Sequence, residues 1–163
     1  VRLAPEGIDS FYDHFRTVQA DEVWATLGSW IDAVRPRFGP GVSERFAAAK
    51  EADAAVAAPG RAFRRLVQAR IRPLLAGGAV MVYPTSPCVA PLLTAGQAEQ
   101  NAVRQATMGV TAIAGFCGLP EVTLPAGTVG GAPVGLSLVA GVGCDRALLA
   151  LACDAAAVLG LPG

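Results

Sequence analysis

The sequence predicts an α/β chain in which helices flank a mixed sheet, and three observations point there. Through the first half, apolar residues recur at intervals of three and four, the period of a helix with one buried face. Ala79–Tyr83 is apolar without alternation, as in a strand covered on both faces. Val134, Leu136 and Leu138 then alternate with Gly135, Ser137 and Val139, and a helical pattern follows at once. We expect a single domain, or part of one, over residues 1–163. Residues 1–78 should be mostly helical, and residues 79–163 should mix strands and helices.

Ile8, Phe11, Tyr12, Phe15 and Val18 form the first helical stripe, behind a cap at Asp9. Asp21 is expected to cap a second helix carrying Trp24, Leu27, Trp30, Ile31 and Val34. The loop Pro36–Gly41 ends it, because prolines and glycines do not continue a helix. Ser43 should open an Ala-rich helix that Pro59-Gly60 interrupts or kinks. From Arg61 to Leu75 a further helix places Phe63, Leu66, Val67 and Leu74 on one face, with Arg61, Arg64, Arg65 and Arg72 elsewhere as a solvated face. Gly77-Gly78 stops it.

After the strand at Ala79–Tyr83, Pro84, Pro87 and Pro91 make a stiff loop. A long helix is expected from Gln97 to about Phe116. Strands follow at Glu121–Leu124 and Pro133–Ala140, with Pro125-Ala126-Gly127 ending the first and the glycines at 127–131 turning the chain like a hairpin. Asp145 is expected to cap the last helix, whose apolar face is Leu148, Leu149, Ala152, Ala155, Ala156 and Leu159.

Composition narrows the function. Charged residues make up 16% of the chain, and mean hydropathy is +0.46. Charge near 25% is usual, so some apolar surface should meet a partner chain or a missing part of its own. A first residue that is not Met points the same way, toward a portion of something longer. Zero net charge gives no global field for nucleic acid or anionic membranes, so neither is expected as a partner. Charged residues interrupt the apolar stretches, which argues against a membrane span. Four cysteines without a CxxC pair read as reduced core thiols in a cytoplasmic protein.

No catalytic centre emerges from the motifs. The single histidine, His14, sits in an aromatic stripe and reads as partly buried or surface. Gly135-Leu136-Ser137 lacks the second glycine of a nucleophile elbow. Lys50, the one lysine, reads as solvated beside Glu51, and there is no Ser-x-x-Lys pair. Gly127, Gly130 and Gly131 precede a strand rather than a helix, so they do not cradle phosphate. No metal-ligand spacing is present.

Three stretches nevertheless stand together in a recognisable order: PTSPCVAP (Pro84–Pro91), AGFCGLPEVTLPAG (Ala114–Gly127) and GAPVGLSLVAGVGCDRALLALA (Gly131–Ala152). In order and spacing they resemble the C-terminal part of amidase signature enzymes. The resemblance covers Ala79 to Leu159 and extends more weakly through Phe15–Phe46, which looks like indole-3-acetamide-type amidases. It implies an amidase-signature-like fold, represented here by its C-terminal portion only. It also implies hydrolysis of a carboxamide by a serine, a cis-serine and a lysine, without metal or organic cofactor. Those residues belong to segments with no match here, so no catalytic residue is carried over and the isolated chain is expected to be inactive.

What the resemblance implies for this portion is scaffold and one wall of a substrate pocket, from Gln105, Met108, Thr111 and Ala112 on the long helix and Thr85 on the proline loop. Gly115 stands where many members have Asn, Ser137 where Gln is common, and Ala79 where an acidic residue often opens the strand. The first two favour a general or indoleacetamide-like amidase over a glutamyl-tRNA amidotransferase subunit. The expected partners are a small-molecule amide in the full-length protein and the missing N-terminal part or a partner chain, with room for a homo-oligomer. The rival from another class is a non-enzymatic structural or binding subunit with an amidase-like half-domain.

Overall fold

The fold is that of a computed structural model, which describes residues 2–39, 41–52 and 54–161. The first helix, α1, runs unbroken over Ile8–Val34 for 27 residues. The separate helix expected from Asp21 does not form, because Gln19, Ala20, Asp21 and Glu22 contain nothing that breaks a helix. Asp21 instead pairs its carboxylate with Arg61. Asp9 lies inside the first turn, where its charge suits the helix dipole, rather than at the cap.

Helix α2 spans Val42–Lys50 behind Gly41, whose φ of 78° favours glycine. The carboxylate of Glu44 accepts the Gly41 N–H at 2.5 Å and the Ser43 hydroxyl at 2.9 Å, so Ser43 is a first-turn residue and not the cap. Of the loop expected over Pro36–Gly41, Pro40 lies outside the described residues.

Helix α3, Ala54–Ile71, contains Pro59, so the expected break at Pro59-Gly60 falls earlier, before Ala54. Pro59 occupies the second turn, where one intrahelical bond is forfeited and the rest of the helix is intact. A short 3₁₀ segment from Arg72 leads to Gly77 and Gly78, whose φ values of 75° and 88° end the helical path. The buried stripe of this region is Ala57, Gly60, Val67, Ile71 and Leu75. Leu66 and Leu74, expected on the core face, are 52% and 41% exposed.

The strands are β1 (Met81–Pro84), β2 (Glu121–Val129) and β3 (Ala132–Val139), in the order β1-β3-β2. The α/β reading holds, and within this chain the sheet consists of antiparallel pairings. β1 is an edge strand, and Val82 is 54% exposed, so it is not covered on both faces as its composition suggested. Pro125-Ala126-Gly127 does not end β2. It makes a bulge in the register between Pro125 and Gly127, and pairing resumes to Val129. Gly130 and Gly131, both at positive φ, then close a tight hairpin into β3.

Helix α4 covers Gln97–Cys117 and α5 covers Asp145–Val158. The residue before α5 is Cys144, and Asp145 supplies first-turn charge without a side-chain cap bond. One face of the sheet packs on α5 through Leu124, Leu138, Ala140, Leu148 and Ala152, while Leu149 is 58% exposed. The cysteines divide: Cys117 is buried, Cys144 half-buried, and Cys88 and Cys153 exposed, so they are not all core thiols.

Two compact units are present, Asp13–Arg65 and Val1–Tyr12 with Leu66–Gly163. In the first, α1 and α3 approach closely at Gly60. A Cβ there would stand 2.7 Å from Val18 Cγ2 and 2.9 Å from the His14 carbonyl oxygen. Ion pairs Asp21–Arg61 and Glu22–Arg64 join the same helices, and His14 lies 4.5 Å from the Phe63 ring. In the second unit, Phe11 meets Phe116 at 6.3 Å, and Gly109 lets the α4 backbone reach Ile8.

Gly60→Ala should therefore destabilise the chain despite alanine's better helix propensity. Overpacking costs about 1–3 kcal/mol, against a propensity gain of about 1 kcal/mol. Urea denaturation measures the difference, and an unchanged or raised midpoint would show that the two helices separate without cost.

Candidate functional site

The sheet face opposite α5 is polar. Strict alternation puts Tyr83 on β1, Ser137 on β3 and Thr123 on β2 side by side, since both Tyr83 and Thr123 pair with Ser137 in register. Thr85, just beyond β1, extends the row, its N–H donating to the Gly135 carbonyl at 3.0 Å. Ser137 is wholly buried, and its hydroxyl shares hydrogen bonds with Thr85 at 2.7 Å and Thr123 at 3.2 Å. Thr85 also donates to Thr123 at 3.3 Å. These threonines meet across β3 because residue 135 is glycine. A Cβ there would lie 2.7 Å from Thr123 Cγ2 and 3.0 Å from Thr85 Oγ1.

Beside the hydroxyls, Tyr83 donates to Glu121 at 3.0 Å. Burial first, then the Glu121 charge, pushes the phenol well above its ordinary range, so it stays a donor. Cys117, at the end of α4, has its thiol pushed up to about 11 by burial, which outweighs the opposing influence of Arg72.

Two side chains of the α3 region fix the C-terminus of α4. Gln68 Nε2 donates to the Phe116 carbonyl at 2.7 Å, and Arg72 Nε to that of Cys117 at 2.8 Å. These are carbonyls a helix leaves without internal partners, and a cation suits that end. Gly118, at φ 60°, then turns the chain toward β2. At the other side, Ser86 shares a hydrogen bond with Thr107 at 3.0 Å, tying the proline loop to α4.

Of the expected wall residues, Thr85 is half-buried in the hydroxyl row. Gln105 is exposed, Met108 half-buried, and Thr111 half-buried with its hydroxyl on the Thr107 carbonyl at 3.2 Å. Ala112 faces the core at 2% exposure. Sequence reasoning missed Thr123 and the Tyr83–Glu121 pair, because cross-strand neighbours require the register; the shared parity of Gly135 and Ser137 was the available signal.

Chemically the row can hydrogen-bond a polar ligand, but the histidine and lysine are engaged within the Asp13–Arg65 unit. His14 packs against Phe63 with the rings tilted by 31°, while Lys50 bonds Asp32 at 2.7 Å and lies 5.3 Å from the Trp24 ring centre. Among the described residues, no group of three His, Cys, Asp or Glu could hold a metal ion. No helix is long and apolar enough to cross a membrane, again among the described residues.

Amidase 1 of Arabidopsis thaliana is 34% identical to this chain over 144 residues, which is 88% of this chain and 34% of that protein. Amidase 1 of Oryza sativa subsp. japonica is 30% identical over 135 residues, 82% of this chain and 31% of its own length. The chain thus spans about a third of the length of the curated relatives it matches. Among solved structures, a crystal structure of amidase superposes with TM-score 0.65 at 26% identity, covering 93% of this chain and 35% of that one. A bacterial aryl acylamidase belonging to the amidase signature enzymes family superposes with TM-score 0.64 over 92% of this chain and 34% of its own; at 17% identity this likeness shows the fold alone. No protein-family model matches.

Removing the buried hydroxyl in Ser137→Ala should cost about 1–2 kcal/mol of stability, because two threonines lose a partner. Chemical denaturation reads this directly, and an unshifted midpoint would show that the row contributes nothing. The pH dependence has a definite sign. The native Cys117 thiol holds its proton to about 11 instead of the ordinary 9.0, so the unfolded chain ionises first. Stability is then complete below pH 9 and falls as pH rises toward 11, with Tyr83 acting in the same sense higher still. Unfolding midpoints measured across that range should decline, and mutation of Cys117 to Ala should flatten the slope.

Proposed function

The chain is a member of the amidase signature family, and from that premise we propose that the protein it is part of hydrolyses a carboxamide to a carboxylate and ammonia or an amine. The observation that carries this reading is 34% identity to an amidase across 88% of the chain. In the proposed reaction a serine oxygen attacks the amide carbon, with its proton passing through a cis-serine to a lysine. The C–N bond breaks, the amine leaves with a proton, and water then releases the acyl group from the serine. All three side chains would lie outside this chain. Backbone N–H groups, also outside it, would hold the oxyanion.

This portion would contribute scaffold and one wall. Thr85, Met108 and Thr111 are half-buried, so they retain surface for a ligand, and Gln105 is exposed. Ala112 would act by its small size, holding α4 close to the core. The mixture of hydroxyl, thioether and amide groups suits a small uncharged amide. No metal or organic cofactor enters the scheme. Unpaired cysteines, two of them exposed, support a reducing and hence cytoplasmic setting.

The test compares two polypeptides. The full-length gene product should release ammonia or amine from small aryl or alkyl amides, and this chain by itself should not exceed a denatured control. Hydrolysis by the chain alone would refute the assignment of catalysis elsewhere. A full-length protein inert toward a broad amide panel would favour the structural or binding subunit.

A further inference from the structure

We propose that Thr85 is a specificity residue whose oxygen accepts a hydrogen bond from the N–H of the amide being hydrolysed, and that a closed ring of hydroxyls keeps it an acceptor. The proposal rests on the reading above, that this chain lines part of an amidase pocket, and it names what that lining selects.

A hydroxyl has one proton to donate and two lone pairs with which to accept. The hydroxyls of Thr85, Ser137 and Thr123 are linked pairwise, Thr85 to Ser137 at 2.7 Å, Thr123 to Ser137 at 3.2 Å and Thr85 to Thr123 at 3.3 Å. The last link has a fixed direction, with Thr85 donating. All three form at once only when Thr123 donates to Ser137 and Ser137 donates back to Thr85. Every proton is then engaged inside the ring, and each bond polarises the next. Ser137, at the base, is wholly buried, so water does not compete for its proton.

Thr85 is left with a free lone pair and no free proton. Its N–H, bonded to the Gly135 carbonyl at 3.0 Å, fixes it from the backbone as well. It is half-buried, and its neighbour Ser86 is bonded to Thr107 at 3.0 Å, which ties it to the helix carrying Met108 and Thr111. Thr123 belongs to the same ring but lies on β2, across β3 from that tie.

A small amide has two polar ends. Its carbonyl oxygen accepts and its N–H donates, while the nitrogen lone pair is delocalised into the carbonyl. In the proposed reaction backbone N–H groups outside this chain take the oxygen, so the N–H end is the one left to match. An acceptor-only Thr85 attracts that end and repels the oxygen. It thereby orients the carbonyl and favours primary and secondary amides over esters of the same acid.

The test is the ratio of kcat/KM for a primary amide to that for the methyl ester of the same acid, measured on the full-length gene product. Thr85→Val removes the acceptor and should lower this ratio roughly tenfold. Thr85→Ser keeps the oxygen and should restore it. An unchanged ratio in a Thr85→Val protein that still hydrolyses the amide would make Thr85 scaffold alone, overturning the proposal and leaving the function standing. A wild-type protein inert toward every amide would overturn both. Should Thr85→Val fail to fold, Ser137→Ala carries the test. It opens the ring and frees Thr85 to turn its proton outward, so the same ratio should fall severalfold although Thr85 is retained. A ratio unmoved by that change would tell against the ring.

Discussion

Burial of the second half of β3, Ser137 to Val139, is the constraint on which the larger unit depends. Both of its edges are hydrogen-bonded, and its last residues contribute to both faces of the sheet. Leu138 faces the α5 core, while Ser137 and Val139, both at 0% exposure, face the other side. A buried serine needs partners, and the neighbouring threonines supply them only because Gly135 leaves room. One glycine and one serine on the same strand face therefore set the position of the proline loop, β2 and the row of hydroxyls.

Charge is used locally. Arg61 and Arg64 pair with Asp21 and Glu22, and Arg70 grips Glu6 at 2.9 Å, holding that carboxyl below its usual range. Arg72 spends its Nε donor on a carbonyl at the end of α4. Arg61, Arg64 and Arg72, which looked like part of a solvated face, are thus tied into helix contacts, while Arg65 is exposed as expected. Exposed pairs of this kind add little energy each, but they fix which helix faces meet.

Scaffold and chemistry divide along the chain in this family reading. The motifs that carried recognition are turns, a bulge and a close-packed strand, features whose demands are geometric. Gly118 reverses the chain after α4, and the Gly130-Gly131 turn sets the β2–β3 register. Such positions tolerate few residue types, so they stay readable at 34% identity. The half-buried residues Thr85, Met108 and Thr111 make weaker demands and carried weaker signals.

The sequence by itself determined the family, the α/β class, the long α4 and the alternation of β3, because period and turn chemistry are local properties. Only the tertiary structure decided that α1 passes through Asp21, that α3 absorbs Pro59, and that Pro125 makes a bulge instead of an end. At Pro59 and Pro125 a residue with local reason to break an element is outweighed by packing or pairing on either side, whereas nothing around Asp21 breaks the helix. The hydroxyl row was decided there too, since Thr85 beyond β1, Thr123 on β2 and Ser137 on β3, 14 to 52 residues apart, meet only once the register is set.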